Sequence, residues 1–139
     1  MKRLLRFPFV LTATFSLFGC SSSPVRAYPG DERPTAEIAT VSLWPREAEL
    51  TIGTVDGQEV GPRVHDVEVL PGRHTFLVKR YADSGLLATH LNATQERAIS
   101  FEVQAGCAYT IAVERTGLGS SALALSVRNQ AGTAVPASF

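Results

Sequence analysis

Three histidines and two cysteines are the first candidates in this 139-residue chain for binding a metal ion or acting as a nucleophile. His65 and His74 stand on either side of Pro71-Gly72, and His90 lies in a stretch without a clear pattern. A zinc site takes three or four ligands, and its usual signatures, HExxH and CxxC, do not occur here. We therefore predict no metal and no cofactor, and interpret His65 and His74 as a surface pair on adjacent strands.

Cys107 is the candidate nucleophile. It alternates with Tyr109, Ile111 and Val113, which places all four residues on one face of a strand. A reactive cysteine needs exposure and an electropositive neighbourhood, whereas a cysteine on an apolar face behaves as a small hydrophobic residue. We predict that Cys107 is buried in the core, that the chain has no catalytic residue and that it is not an enzyme.

Two aromatic residues are candidate ligand contacts. Trp44 is followed by Pro45, and Tyr81 is preceded by Arg80. An exposed aromatic ring offers a flat apolar face with a polar edge, which suits sugars and peptides. The alternative, which we favour for Trp44, is that its ring closes one end of a hydrophobic core.

The N-terminus has the pattern of a secretory signal. Residues 1–6 form a short segment with three basic residues, and Phe7 to Phe18 form an apolar stretch of a dozen residues. This stretch is too short to cross a bilayer, because a spanning helix needs about 20 residues. We expect residues 1–19 to be removed from the precursor.

The end of this segment, Leu17-Phe18-Gly19-Cys20, resembles the bacterial lipobox. The resemblance implies lipidation of the Cys20 thiol, cleavage between Gly19 and Cys20, and acylation of the new amino group. Several acyl chains hold a protein stably on a membrane. Ser21, in place of an aspartate, implies sorting to the outer membrane. The alternative is an ordinary signal peptide cut near Ala27, which would leave no anchor.

The charge of the mature chain excludes one class of partner. Removing residues 1–19 takes away Lys2, Arg3 and Arg6 and leaves 10 basic against 13 acidic residues, a net charge of −3. Nucleic-acid binding needs a clustered basic surface that displaces counterions from phosphates. We therefore expect no nucleic-acid partner.

The mature chain divides into a tether and one domain. Residues 20–36 are rich in Ser and Pro, and we predict that they form a flexible tether with a reach of roughly 20–25 Å. An arm docked on the domain around Tyr28 is the alternative. Residues 37–139 are enough for one domain with its own core.

Short alternating strands separated by turn residues fill the domain. We predict about seven strands and an all-β, antiparallel β-sandwich, with a small barrel as the alternative. Pro71-Gly72 and Ala105-Gly106 are expected to close two hairpins. Residues 83–95 could form a short helix, an edge strand or a loop. The predicted strands begin near Ile38, Ala48, Val67, Arg73, Ile99, Cys107 and Leu123.

Several pieces of the mature chain resemble a known group of proteins. The segments AYPGDERPTAEIATV, TVDG and LPGRHTFLV look like those of small uncharacterised proteobacterial lipoproteins. Within them, Val55-Asp56-Gly57 and Leu70-Pro71-Gly72-Arg73-His74 are similar to PEGA-type β-sandwich modules. The resemblance implies a sandwich in the cell envelope. We expect a non-enzymatic protein-interaction or structural module, anchored in the outer membrane and facing the periplasm. A carbohydrate- or peptidoglycan-binding module is the alternative.

Overall fold

The structure is a computed structural model that describes residues 23–47, 49–81, 93–114 and 123–139. The signal peptide, Cys20, Ala48, His90 and most of the 83–95 segment lie outside these ranges. Nine strands and one short 3₁₀ turn, Thr35–Glu37, are found in the described residues. The strands are β1 (Val25–Arg26), β2 (Ala39–Trp44), β3 (Leu50–Val55), β4 (Gln58–Glu59), β5 (Asp66–Val69), β6 (Gly72–Tyr81), β7 (Ala93–Val103), β8 (Ala108–Glu114) and β9 (Ala124–Asn129).

The strands form two sheets that pack face to face, which confirms the predicted sandwich. The first sheet has the order β1-β5-β2-β8-β9, and the second has the order β4-β3-β6-β7. Neighbouring strands are antiparallel except in the first sheet, where β1 runs parallel to β5 and β2 runs parallel to β8. The described strands are not closed into a barrel.

The core lies between the two sheets and is built from alternating apolar residues. Phe76 and Phe101 stack in the second sheet with ring centroids 5.0 Å apart, and Phe101 meets Tyr109 of the first sheet at 5.8 Å. Burying a large apolar side chain contributes roughly 1.5–3 kcal/mol. All seven predicted strands are present, and each one buries its apolar face in this core.

The two predicted hairpins are wrong. The Pro71-Gly72 turn connects β5 of the first sheet to β6 of the second, and Ala105-Gly106 connects β7 of the second sheet to β8 of the first. Each turn is an arch between the sheets. It reverses the chain direction as a hairpin would, but the two strands that it joins do not pair with each other.

A true hairpin is formed by β3 and β4. Val55 pairs with Gln58, so the connecting loop has only two residues, Asp56 and Gly57. Both have positive φ, +51° and +80°, which is the geometry of a type I′ turn. The Asp-Gly sequence suits this turn because both residues tolerate the left-handed conformation better than most.

Within the predicted tether, residues 20–36, the segment 25–28 packs on the domain as in the docked-arm alternative, and residues 29–36 are exposed. We call residues 23–37 the N-terminal arm. Val25 pairs with Val67, and the Ala27 N–H donates to the Glu68 carbonyl at 2.9 Å. Tyr28 is only 8% exposed, and its hydroxyl accepts from the Arg33 N–H at 3.2 Å. Burial of Tyr28 and these backbone bonds hold the arm in place.

The last residues of the chain connect the outer strands of the two sheets. The Val135 N–H donates to the Val127 carbonyl on β9, and Ser138 exchanges two backbone hydrogen bonds of 2.8 and 2.9 Å with Ser100 on β7. The Phe139 ring lies against the Arg97 guanidinium at 4.6 Å. We call residues 131–139 the C-terminal clasp, because they close one open side of the sandwich. In the described ranges, no helix is long and apolar enough to cross a membrane.

Candidate functional site

A groove runs along the side of the sandwich opposite the C-terminal clasp. One wall is the N-terminal arm on the edge of the first sheet, and the other is the β3–β4 hairpin on the edge of the second. Two cavities of about 300 and 220 Å³ flank Tyr28 there. We call them together the arm groove. Both are lined by the same five residues: Ala27, Tyr28, Pro29, Val55 and Gln58.

The arm groove combines apolar and polar groups. Val25 and Val60 supply apolar surface, while Arg26 and Glu59 supply charge at the rim of the larger cavity. The volume of the larger cavity is at the lower limit of typical ligand pockets, and that of the smaller cavity is below it. Tyr28 offers little flat ring surface because it is almost fully buried. The groove therefore suits one or two side chains of an extended peptide better than it suits a stacked sugar.

His74 lies at the floor of the smaller cavity and is held at both ring nitrogens. Its Nδ1 is 2.6 Å from Oδ2 of Asp56, and its Nε2 is 2.7 Å from the carbonyl oxygen of Leu70. The other carboxylate oxygen of Asp56 accepts from the Thr75 N–H at 2.8 Å. These bonds join the β3–β4 turn to the β5–β6 arch.

This arrangement does not provide a catalytic base. A carboxylate–histidine pair acts as a base when the far ring nitrogen has a free lone pair directed at a nucleophile. Here the far nitrogen of His74 faces the Leu70 carbonyl, which can only accept a hydrogen bond. His74 is thus placed as a structural clamp between two loops.

The two predicted ligand contacts, Trp44 and Tyr81, lie at one end of the sandwich but in different sheets. Trp44 ends β2 and is 61% exposed, so the expectation that it closes the core is wrong. Tyr81 ends β6, is half-buried, and donates its N–H to the Glu49 carbonyl at 2.8 Å.

The same end of the sandwich carries His65 and an ion pair. His65 Nε2 is 3.0 Å from the Glu47 carbonyl oxygen, and Arg46 donates to buried Asp66 at 2.7 Å. His65 precedes a strand of the first sheet and His74 lies on a strand of the second, so the expected surface pair on adjacent strands is wrong.

Cys107 follows the arch between β7 and β8 and is half-buried against the core. Its position agrees with the predicted apolar face, although its burial is incomplete. Within the described ranges, no three His, Cys, Asp or Glu side chains come together in a metal-binding arrangement.

Sequence reasoning missed the arm groove and the His74 clamp. The groove depends on where the arm docks. The strand that docks it, β1, has only two residues, which is too short to give a recognisable sequence pattern. Asp56 and His74 are brought together by the pairing of β3 with β6, and no local pattern reports that pairing. The Asp-Gly turn was the one available indication, since it fixes where Asp56 stands.

Comparison with family models, with curated proteins and with solved structures finds no match to this chain. The resemblance to PEGA-type modules and to small lipoproteins therefore stays a prediction.

Proposed function

We propose that this chain is a lipid-anchored protein of the outer membrane, facing the periplasm, whose sandwich domain binds an envelope protein and does no catalysis. The observation that supports a binding role is the arm groove, a concave surface between two sheet edges with apolar walls and charged rims. Grooves beside sheet edges are a common place for extended peptides to bind. The use of His74 as a clamp supports a non-enzymatic domain.

The anchor rests on Leu17-Phe18-Gly19-Cys20 and is tested by replacing its cysteine. The Cys20→Ser precursor keeps its signal peptide, because the thiol that must be alkylated before cleavage is gone. Immunoblotting and mass spectrometry of membrane fractions measure this directly. Blocking the lipoprotein signal peptidase with globomycin gives the parent, but not the variant, a larger form. Normal maturation of Cys20→Ser would contradict the anchor.

Binding in the arm groove is tested by photo-crosslinking in living cells. A benzoyl-phenylalanine at position 58, exposed on β4 at the groove, is expected to form an adduct with one partner protein. The same group at Gln130, exposed in the turn after β9, is the matched control and gives no such adduct. The adduct is also lost in Cys20→Ser, whose domain is no longer anchored by lipid.

A second candidate function, peptidoglycan binding, is favoured by the exposure of Trp44. Aromatic rings of this kind stack on sugar faces. Sedimentation with purified sacculi separates the two proposals. A protein that pellets with sacculi, and forms no adduct from position 58, would reject the protein partner and support the sugar ligand.

A further inference from the structure

We infer that the end of the sandwich carrying Trp44 rests on the membrane surface, with the Trp44 ring among the lipid headgroups. This inference rests on the proposed lipid anchor at Cys20 and adds the orientation of the domain and a second membrane contact. It follows from the direction in which the N-terminal arm enters the first sheet and from the number of residues between Cys20 and that sheet.

The arm enters the sheet from the Trp44 end. Because β1 is parallel to β5, with Val25 opposite Val67, the residues before Val25 come from the side where β5 begins. That beginning, Asp66, is paired with Ser42 on β2. Trp44 lies two residues further along β2 in the same direction. The chain from Cys20 therefore approaches the domain at the end where Trp44 is exposed.

The free tether is short because the arm is docked. Only residues 21–24 separate Cys20 from β1, instead of the sixteen that a tether reaching to residue 36 would provide. Five Cα steps from Cys20 to Val25 span at most about 17 Å. The register places Trp44 three residues beyond the level of Val25, or about 10 Å along the strands, and two strands away, or about 10 Å sideways.

These lengths put Trp44 at headgroup depth. Even with a fully extended tether, the Trp44 backbone stands about 7 Å above the level of the acylated cysteine. The headgroup layer on one side of a bilayer is about 5–8 Å thick. Any bend in residues 21–24 brings the ring lower. Tryptophan prefers this layer, where its apolar ring and its N–H are both satisfied.

The positive charge of Arg46 does not oppose this placement. Arg46, two residues after Trp44 in sequence, has its side chain half exposed and its charge compensated by Asp66 at 2.7 Å. A guanidinium can extend its polar end to the headgroups while its stem covers apolar surface. The 61% exposure of the Trp44 ring in the isolated chain is what a lipid contact would cover.

Trp44 is the only tryptophan of the chain, so its fluorescence reports on this contact alone. The test uses the mature lipoprotein, with acylation of Cys20 confirmed by mass spectrometry, in phosphatidylcholine vesicles with and without brominated acyl chains. We expect a blue-shifted emission that brominated lipid reduces by about half, as for a ring in the interface.

Two lipidated controls address the geometry. A ten-residue Gly-Ser insertion between Ser22 and Ser23 lengthens the tether and is expected to abolish most of the quenching. The double variant Trp44→Phe, Gln104→Trp moves the single tryptophan to an exposed site on the arch at the opposite end, and is expected to show no quenching.

The outcomes distinguish the orientation from the anchor. Absence of acyl groups on Cys20 would overturn the anchor and the orientation with it. Acylated protein whose Trp44 emission is unaffected by brominated lipid would overturn the orientation alone, as would equal quenching after the linker insertion. Quenching of Trp44 by added muropeptides, without quenching by brominated lipid, would also overturn it and assign the ring to peptidoglycan.

Discussion

At the scale of residues, polar side chains hold the loops of this sandwich to its sheets. His74 and Asp56 fasten one turn to one arch, and Thr51 fastens β3 to the chain that precedes β5. Thr51 is 2% exposed, and its hydroxyl both accepts from the Val64 N–H at 2.8 Å and faces the Val64 carbonyl at 3.1 Å.

Thr51→Val is expected to destabilise the domain by roughly 1–3 kcal/mol, because it leaves the buried Val64 N–H without its acceptor. The Val64 carbonyl keeps a partner, the Ile52 N–H at 2.7 Å. Urea denaturation of the unlipidated mature chain measures the change.

Thr51→Ser retains the hydroxyl and is expected to lose less stability than Thr51→Val. Thr75→Val removes an exposed hydroxyl and is expected to change the free energy of unfolding by less than about 0.5 kcal/mol. Equal stability of Thr51→Val and the parent would contradict the bridge.

At the scale of elements, the sequence predicted the strands well and their pairing poorly. Alternation of apolar and polar residues is local, so β5 and β8 could be located from Val67-Val69 and from Tyr109, Ile111 and Val113. A Pro-Gly turn, in contrast, reverses the chain in the same way whether the next strand pairs with the previous one or crosses to the other sheet. Packing in the core decides between the two connections. Crossing to the first sheet places Tyr109 against Phe101, whose ring stacks on Phe76.

The C-terminal clasp is the element whose contribution is easiest to measure. Deleting residues 137–139 removes two backbone hydrogen bonds to Ser100, the 2.6 Å bond from Arg73 to Ser138, and the Phe139 ring on Arg97. We expect a loss of roughly 2–4 kcal/mol in urea denaturation. The uncovered edge of β7 is also expected to promote self-association, visible in sedimentation velocity, because a free edge can pair with another chain.

The matched control for this deletion is Phe139→Ala, which keeps the backbone pairing with Ser100 and removes only the ring. It is expected to cost about 0.5–1 kcal/mol and to leave the sedimentation profile the same as that of the parent protein. If Phe139→Ala were as destabilising as the deletion, the backbone pairing would contribute nothing and the clasp would be a side-chain contact alone.

At the scale of the whole molecule, the docked arm limits how far a lipid anchor at Cys20 would let the domain move from the membrane. A tether of seventeen residues would let the domain move well away from the lipid, and this was the expectation from the Ser- and Pro-rich composition. Tyr28 was the one indication against it, since a large aromatic residue in a tether has no partner in solvent. Its burial and the Val25–Val67 pairing convert most of that tether into part of the fold. With the proposed anchor at Cys20, the orientation inferred for Trp44 would also set that of the arm groove relative to the bilayer.

The parallel pairing of β2 with β8 has a consequence for how the chain reaches this fold. One edge of β2 pairs with the nearby β5, but the other edge finds its partners only at residues 108–112, so the middle of the first sheet is completed only after residue 112 has been synthesised. A nascent chain that stops before residue 108 leaves β2 with an unpaired edge. Folding that depends on such distant pairs is slow, because the ends of a long loop must first meet. The domain therefore becomes native late and as a unit, once nearly all of its residues have emerged.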